Sequence, residues 1–380
     1  MDLTETPEQR EVRAQYVTWL TDLLPDDYYD RYADYRWDLG LRRAHQAAAF
    51  EAGWLQPAWP ADHGGRGLGP LEALTVRLES AVRAAPKLPN IQGVGVVAPG
   101  LREFGTPEQV ERLLVPVLRG DEWWALGMSE PGAGSDFAAL RTRAVRDGDR
   151  YVVNGQKIWT TQAHESRWAT LYVRTDPDAP KHRGISCLIL DMESPGVTVR
   201  PIRMATITDE TFCEVFLDDV DVPVSSVLGD ENAGWQVAMS SLDHERDMIW
   251  IMNWVEISRG VRAVTDSVGD TGAGALDDDL LVDLGRRIAD AEALRLTGYR
   301  SLTGSLRGTR GPEYSILKLL GSEALQQTWD LAAVTAGPAG LGDASLAFER
   351  HEALSATLYG GTSEVQRNII GERVLGLPKG

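Results

Sequence analysis

Apolar positions recur at helical spacing through residues 1–120. Thr6-Pro7-Glu8-Gln9 supplies a threonine N-cap, a proline at the first helical position and a glutamine able to close a capping box. Tyr16, Val17, Leu20, Leu23 and Leu24 follow on the helical period. The same four residue types return as Thr106-Pro107-Glu108-Gln109, ahead of Val110, Leu113, Leu114, Val117 and Leu118. This predicts two capped helices rather than a sequence repeat. Between them, Trp59-Pro60 and Gly64-Gly65-Arg66-Gly67 mark a rigid loop.

From Trp123 the period shortens. β-rich runs stand at 151–153, 157–161, 169–174, 185–190, 197–202 and 215–217, and Asn154-Gly155 between the first two is a hairpin signal. A block with strands alone predicts a small barrel or sandwich. Beyond Gly229, long helical periods cover 236–268, 280–306 and 314–334. The run from Gly269 to Gly274 separates the first two, and Gly337-Pro338-Ala339-Gly340 ends the third. The pattern therefore predicts an α+β multidomain chain: helical over 1–120, β over 121–228 and helical again over 229–380.

At 380 residues the chain is too long for one ordinary core, which supports more than one domain. A net charge of −18 repels phosphate backbones and argues against a nucleic-acid partner, so an anionic ligand needs local basic groups. Cys187 and Cys213 sit in apolar strand-like stretches without CxxC or metal spacing. They predict no disulfide framework and fit a reducing cytoplasm. The polar start of the chain is unlike a signal peptide. No apolar run approaches the ~20 residues of a membrane span. The six histidines lack ligand spacing, so no metal site is expected.

Met128-Ser129-Glu130-Pro131-Gly132-Ala133-Gly134-Ser135-Asp136 is the most specific segment. Its proline and glycines let backbone approach a flat ligand or a phosphate, and two serines add hydroxyls. Alone it could be an ordinary turn, and Trp159 at a strand end could simply fill a core. Together with NGQKIWTT, with YGGTSEVQRNIIGERVLGLP near the C-terminus and with GWLQPAWPADHGGRG, it resembles the acyl-CoA dehydrogenase family over nearly the whole chain. The resemblance implies an N-terminal helical domain, a β-barrel and a C-terminal four-helix bundle. It implies FAD, with Leu126, Met128 and Ser129 along the isoalloxazine ring and Trp159, Thr160 and Thr161 covering its N5 and O4 side. Ser135 would meet the cofactor pyrophosphate or the CoA portion of the substrate, and Thr362 and Glu364 the ADP part of FAD. An acyl-CoA or acyl-carrier thioester would be the substrate and an electron-transfer flavoprotein the acceptor.

Desaturation requires a carboxylate beside the substrate's weakly acidic α-carbon. Many family members place it after a tyrosine near the C-terminus, but this chain has Tyr359-Gly360-Gly361-Thr362. The long-chain and isovaleryl types instead carry a glutamate before an arginine on the first bundle helix. Leu242-Asp243-His244-Glu245-Arg246 matches that pattern, and Glu245 falls in an almost wholly apolar stripe with Ala238, Ser241, Leu242, Met248, Ile249 and Met252. Desolvation there would raise its pKa toward a useful range, although an ion pair with Arg246 or another bundle residue is the structural alternative. Asp243, Arg246, Tyr359 and Gly360 match substrate-facing positions. The absent side chain at Gly360 would admit branched or bulky acyl groups.

Two elements that usually serve a neighbouring subunit's FAD are missing. The loop after the first bundle helix lacks its arginine and phenylalanine, and Val334-Thr335-Ala336-Gly337-Pro338 replaces a glutamine and paired glycines. This predicts an oligomer, homomeric or formed with a homologous subunit. A flavin monooxygenase or oxidase on the same fold and a non-catalytic partner subunit are the alternative readings.

Overall fold

The computed structural model describes residues 4–205, 211–271, 278–307, 313–340 and 342–378, without the side chains of 242–248, 268–271, 305, 313 and 339. Two compact units result, one of Glu5–Met204 with Thr208–His244 and the other chiefly of Glu245–Gly380.

The first unit opens with helices α1 (Pro7–Leu23), α2 (Tyr32–Tyr35), α3 (Leu39–Glu51), α4 (Pro70–Val82), α5 (Ala98–Phe104) and α6 (Pro107–Arg119). Both capping boxes form. Gln9 N donates to Thr6 Oγ1 at 3.2 Å and Gln109 N to Thr106 Oγ1 at 3.3 Å, with each glutamine carbonyl accepting the threonine N–H in return. Gln109 also donates to the Ser225 and Val227 carbonyls at 3.0 Å, which fastens α6 to the end of the β-region.

Eight strands follow: β1 (Trp124–Gly127), β2 (Arg143–Asp147), β3 (Arg150–Thr161), β4 (Trp168–Arg174), β5 (Ile185–Asp191), β6 (Val197–Pro201), β7 (Phe212–Pro223) and β8 (Val227–Leu228). They form one sheet in the order β6-β7-β3-β2-β4-β5-β8, with β1 parallel to β4. Residue alternation sorts the faces. Trp124, Trp168 and Tyr172 pack with Val94, Leu101, Leu114 and Val117 of the helical part. Ala125, Ala169, Leu171 and Val173 pack with Val153, Val215 and Val222.

The expected β-barrel is not formed, because the sheet stays open. Its end strands are β6 and β8, and no ladder joins them among the described residues. Closure needs a continuous ladder around the ring. Here β8 offers only two residues, both spent on β5 through Cys187↔Leu228 and Leu188↔Val227, before the chain enters a helix.

His45 on α3 is buried, with neither ring nitrogen hydrogen-bonded, and its ring lies 5.9 Å from that of Trp19. Burial pushes its pKa down to about 4. Between pH 6.5 and 4 the unfolded chain therefore takes up a proton that the folded chain refuses, so stability falls as pH falls. Chemical denaturation should show a loss of about 3 kcal/mol at pH 4 relative to pH 7 that is absent from His45→Phe.

The second unit contains most of α7 (Gly234–Thr271), with α8 (Asp278–Leu306), α9 (Glu313–Gly340), α10 (Ala344–Ser355) and α11 (Ser363–Ile369). Within it α7 packs on its neighbours through small residues: a Cβ on Gly298 would stand 2.6 Å from the Trp250 ring, and one on Gly260 2.6 Å from Thr328. Arg259 adds contacts to Glu256 and to Glu349 of α10. One helix end differs from expectation. The first long helix passes Gly269 to reach Thr271, whereas α9 is broken at Gly337, φ 55°, ψ −146°, within the expected stop, and a further helical turn runs on to Gly340. Among the described residues no helix is long and apolar enough to cross a membrane, and no cluster of His, Cys, Asp and Glu could hold a metal ion.

Candidate active site

Strand β1 ends at Gly127 and delivers Met128–Asp136 as a tight turn in which Glu130 and Ala133 exchange both backbone hydrogen bonds at 3.0 Å. Leu126, Met128 and Ser129 are half-buried, while Gly132, Gly134 and Ser135 are exposed. A Cβ on Gly132 or Gly134 would meet nothing within 4 Å among the described residues. Asp136 is held by Lys181 at 2.6 Å.

A buried ion pair fastens the turn to β3. Lys157 is fully buried, and its Nζ donates to the Met128 carbonyl at 3.1 Å and to Glu130 Oε1 at 2.8 Å. Glu130 also accepts the backbone N–H groups of Arg141 at 2.6 Å and Thr142 at 2.8 Å. Burial pushes the Lys157 ammonium down to about 8, with the Glu130 carboxylate opposing it. Burial alone would raise the Glu130 carboxyl, but Lys157 and the Thr142 and Arg141 donors outweigh it and hold the group below the usual range. Neither residue carried a role in the sequence reading. A signal existed, since Tyr151, Val153 and Lys157 occupy alternate inward positions of one strand, and a lysine there needs an anion.

The next residues face outward under strain. Ile158 N donates to the Ser129 carbonyl at 3.0 Å, and the pairing of β3 with β7 is then irregular between Lys157 and Thr160. Within that irregularity Trp159 takes φ 60°, a left-handed conformation unusual for an aromatic residue. Its indole is 55% exposed and meets Phe212 edge-on with centroids 6.2 Å apart. The indole is thus held out of the core at a backbone cost. Thr161 is half-buried. The buried Thr160 hydroxyl and both side-chain amide atoms of the buried Gln162 find no hydrogen-bond partner. The first unit thus brings together Leu126, Met128, Ser129, Trp159, Thr160 and Thr161. Ser135 lies farther along the same turn.

In the second unit, Tyr359-Gly360-Gly361-Thr362 leads into α11. Gly360 and Gly361 take φ 61° and 89°, and the buried Gln366 donates to both carbonyls at 3.0 and 3.3 Å. Thr362 caps α11 by accepting the Val365 N–H. The Glu364 carboxyl, on the first turn, is held low by its own backbone N–H and the Thr362 hydroxyl. Glu364 lines a polar cleft of about 440 Å³ with Glu323, Gln326, Thr357, Ser363 and Arg367. Among the described residues, a Cβ on Gly360 would be in ordinary contact with Ile249 Cδ1 of α7 at 3.5 Å and Lys318 Cε of α9 at 3.9 Å. Position 245 precedes Ile249 by one helical turn on the same face. The side chains of Asp243, Glu245 and Arg246 lie outside the described residues.

The residues of the first unit fit the flat, hydrogen-bonding ring of a flavin. They offer an outward indole, an unpaired hydroxyl, half-buried apolar groups and a glycine turn.

Comparison with known proteins agrees. Models for the N-terminal, middle and C-terminal domains of acyl-CoA dehydrogenases match residues 6–121, 125–220 and 232–375. Acyl-CoA dehydrogenase IpdE1 of Mycobacterium tuberculosis is 35% identical over 97% of this chain and 98% of its own length. Acyl-CoA dehydrogenase FadE34 of the same organism is 37% identical over 88% of the chain, a match that spans only 46% of FadE34. Among solved structures, the Tcur3481-Tcur3483 steroid ACAD superposes with a TM-score of 0.87 at 31% identity, and the ChsE4-ChsE5 complex from M. tuberculosis with 0.85 at 32%, each covering 100% of both chains.

Proposed function

The chain belongs to the acyl-CoA dehydrogenase family and is a flavin-dependent acyl-CoA dehydrogenase; from that premise we propose that its flavin is FAD and that Glu245 is the base that removes the substrate's α-proton. The observation that carries the assignment is Gly360. Its missing side chain leaves the loop without the family's usual carboxylate, and a Cβ there would touch Ile249, one turn beyond position 245 on α7.

FAD, when bound, supplies an acceptor for the hydride leaving Cβ. The chain's own groups do the rest. Leu126 and Met128 give the ring an apolar bed, Ser129 and Thr161 offer hydroxyls to its polar edge, and Trp159 covers it and keeps water away. Thr160 has an unpaired hydroxyl within the same segment. Ser135 is placed to meet the cofactor pyrophosphate or the CoA portion. Thr362 and Glu364 meet the ADP part, and Glu364 lines a polar cleft suited to it. Asp243, Arg246, Tyr359 and Gly360 border the acyl group. A glycine at 360 and the likeness to a structure titled a steroid ACAD together favour bulky, ring-bearing acyl thioesters.

Domains at 1–120, 121–228 and 229–380 are proposed, a reading that the three matched segments support. An electron-transfer flavoprotein is the proposed acceptor, and the cytoplasm the proposed compartment. The chain is proposed to work as an oligomer with a homologous subunit, since two of the similar structures are named as pairs of unlike proteins.

Protein purified in its full assembly should absorb in the visible and release FAD on denaturation. Release of FMN alone, or of an unrelated chromophore, would overturn the cofactor assignment.

A further inference from the structure

We infer that the buried Lys157–Glu130 pair is a positioning device for the flavin-facing surface, acting through the Met128 carbonyl and through the strand geometry at Ile158 and Trp159. The inference rests on the reading above that this surface meets the flavin.

Five hydrogen bonds converge at this point. Lys157 Nζ reaches the Met128 carbonyl and Glu130, Glu130 takes the N–H groups of Arg141 and Thr142, and Ile158 N–H meets the Ser129 carbonyl. Three segments distant in sequence, 128–130, 141–142 and 157–158, are therefore held together. Residues of the ring bed, Met128 and Ser129, lie on one segment, and the covering Trp159 immediately follows another. Trp159 leaves the regular β3–β7 ladder directly after Lys157 and takes φ 60°. Such a conformation persists only where its surroundings over-determine it. A buried ion pair is not needed for stability as such, because apolar replacements often match it. Its hydrogen-bond directions, however, fix where the Met128 carbonyl and the strand sit, which apolar groups cannot do.

The test uses the flavin-loaded protein in its full assembly. Lys157→Met strands a buried carboxylate and is expected to lower the melting temperature. The double variant Lys157→Met/Glu130→Gln removes both charges and should recover much of that loss. Positioning predicts that the double variant still has kcat lowered by ~10²-fold with KM nearly unchanged, a shifted visible flavin band and faster flavin release from the folded protein. If kcat, spectrum and flavin release all return to wild type along with the melting temperature, the pair only supports the fold and the inference is wrong. A wild-type assembly without flavin would overturn the reading of the surface and this inference with it; a flavin-loaded wild type indistinguishable from its double variant would overturn this inference alone.

Discussion

Glu245→Gln is expected to lower turnover by ~10²–10⁴-fold, the usual contribution of a positioned general base, while leaving flavin content unchanged. The amide keeps the shape of the side chain but cannot take up the α-proton. No second carboxylate is available from the C-terminal loop, since Gly360 stands where many relatives carry it. Gly360→Glu in the Glu245→Gln background is the matching experiment. A Cβ there stands 3.5 and 3.9 Å from its nearest neighbours among the described residues, which is ordinary contact, but φ 61° disfavours any L side chain. Partial rescue is therefore expected, at a stability cost of about 1–2 kcal/mol. Product formation under single-turnover conditions measures both. Near-normal turnover by Glu245→Gln would show that the base is another residue.

The second large effect concerns assembly. Expressed alone, the chain should retain little flavin; co-expressed with the homologue that completes it, it should bind one FAD per pair of unlike chains. Val334 is 64% exposed and Pro338 is exposed, beside a helix broken at Gly337, where relatives that serve a neighbour's FAD carry a glutamine and paired glycines. The loop expected to supply an arginine and a phenylalanine contains neither, and most of it lies outside the described residues. Leu354, Leu358, Leu375 and Leu377 are also more than half exposed, as suits a surface that another chain covers. Native mass spectrometry and flavin absorbance together read the outcome. A homodimer or homotetramer with FAD in every chain would contradict it and leave the dehydrogenase assignment intact.

Local signals were legible and long-range ones were not. The Thr6 and Thr106 capping boxes were readable because cap and partner lie three residues apart. The open sheet was not, because closure depends on whether β6 meets β8, a matter of strand length and of where the chain next turns into helix. The residues of the proposed flavin-facing surface could be listed from motifs. That Trp159 is held at φ 60° could not, since this follows from the irregular pairing of β3 with β7. Lys157 could have been read as inward from its strand period. Its partner Glu130 could not, because that contact requires the turn after β1 to fold onto β3. Gly360 was informative through what it lacks, and the structure adds that a Cβ there would touch Ile249 and Lys318.

Anaerobic mixing of the flavin-loaded assembly with a panel of acyl-CoA thioesters, ring-bearing ones included, tests the central claim most directly. The account predicts that at least one thioester bleaches the visible flavin band and yields the trans-α,β-enoyl thioester, that the reduced flavin reoxidises slowly in air, and that Glu245→Gln binds the same thioester without bleaching. Failure of every thioester to reduce the flavin, or rapid reoxidation with an oxygenated product, would contradict it.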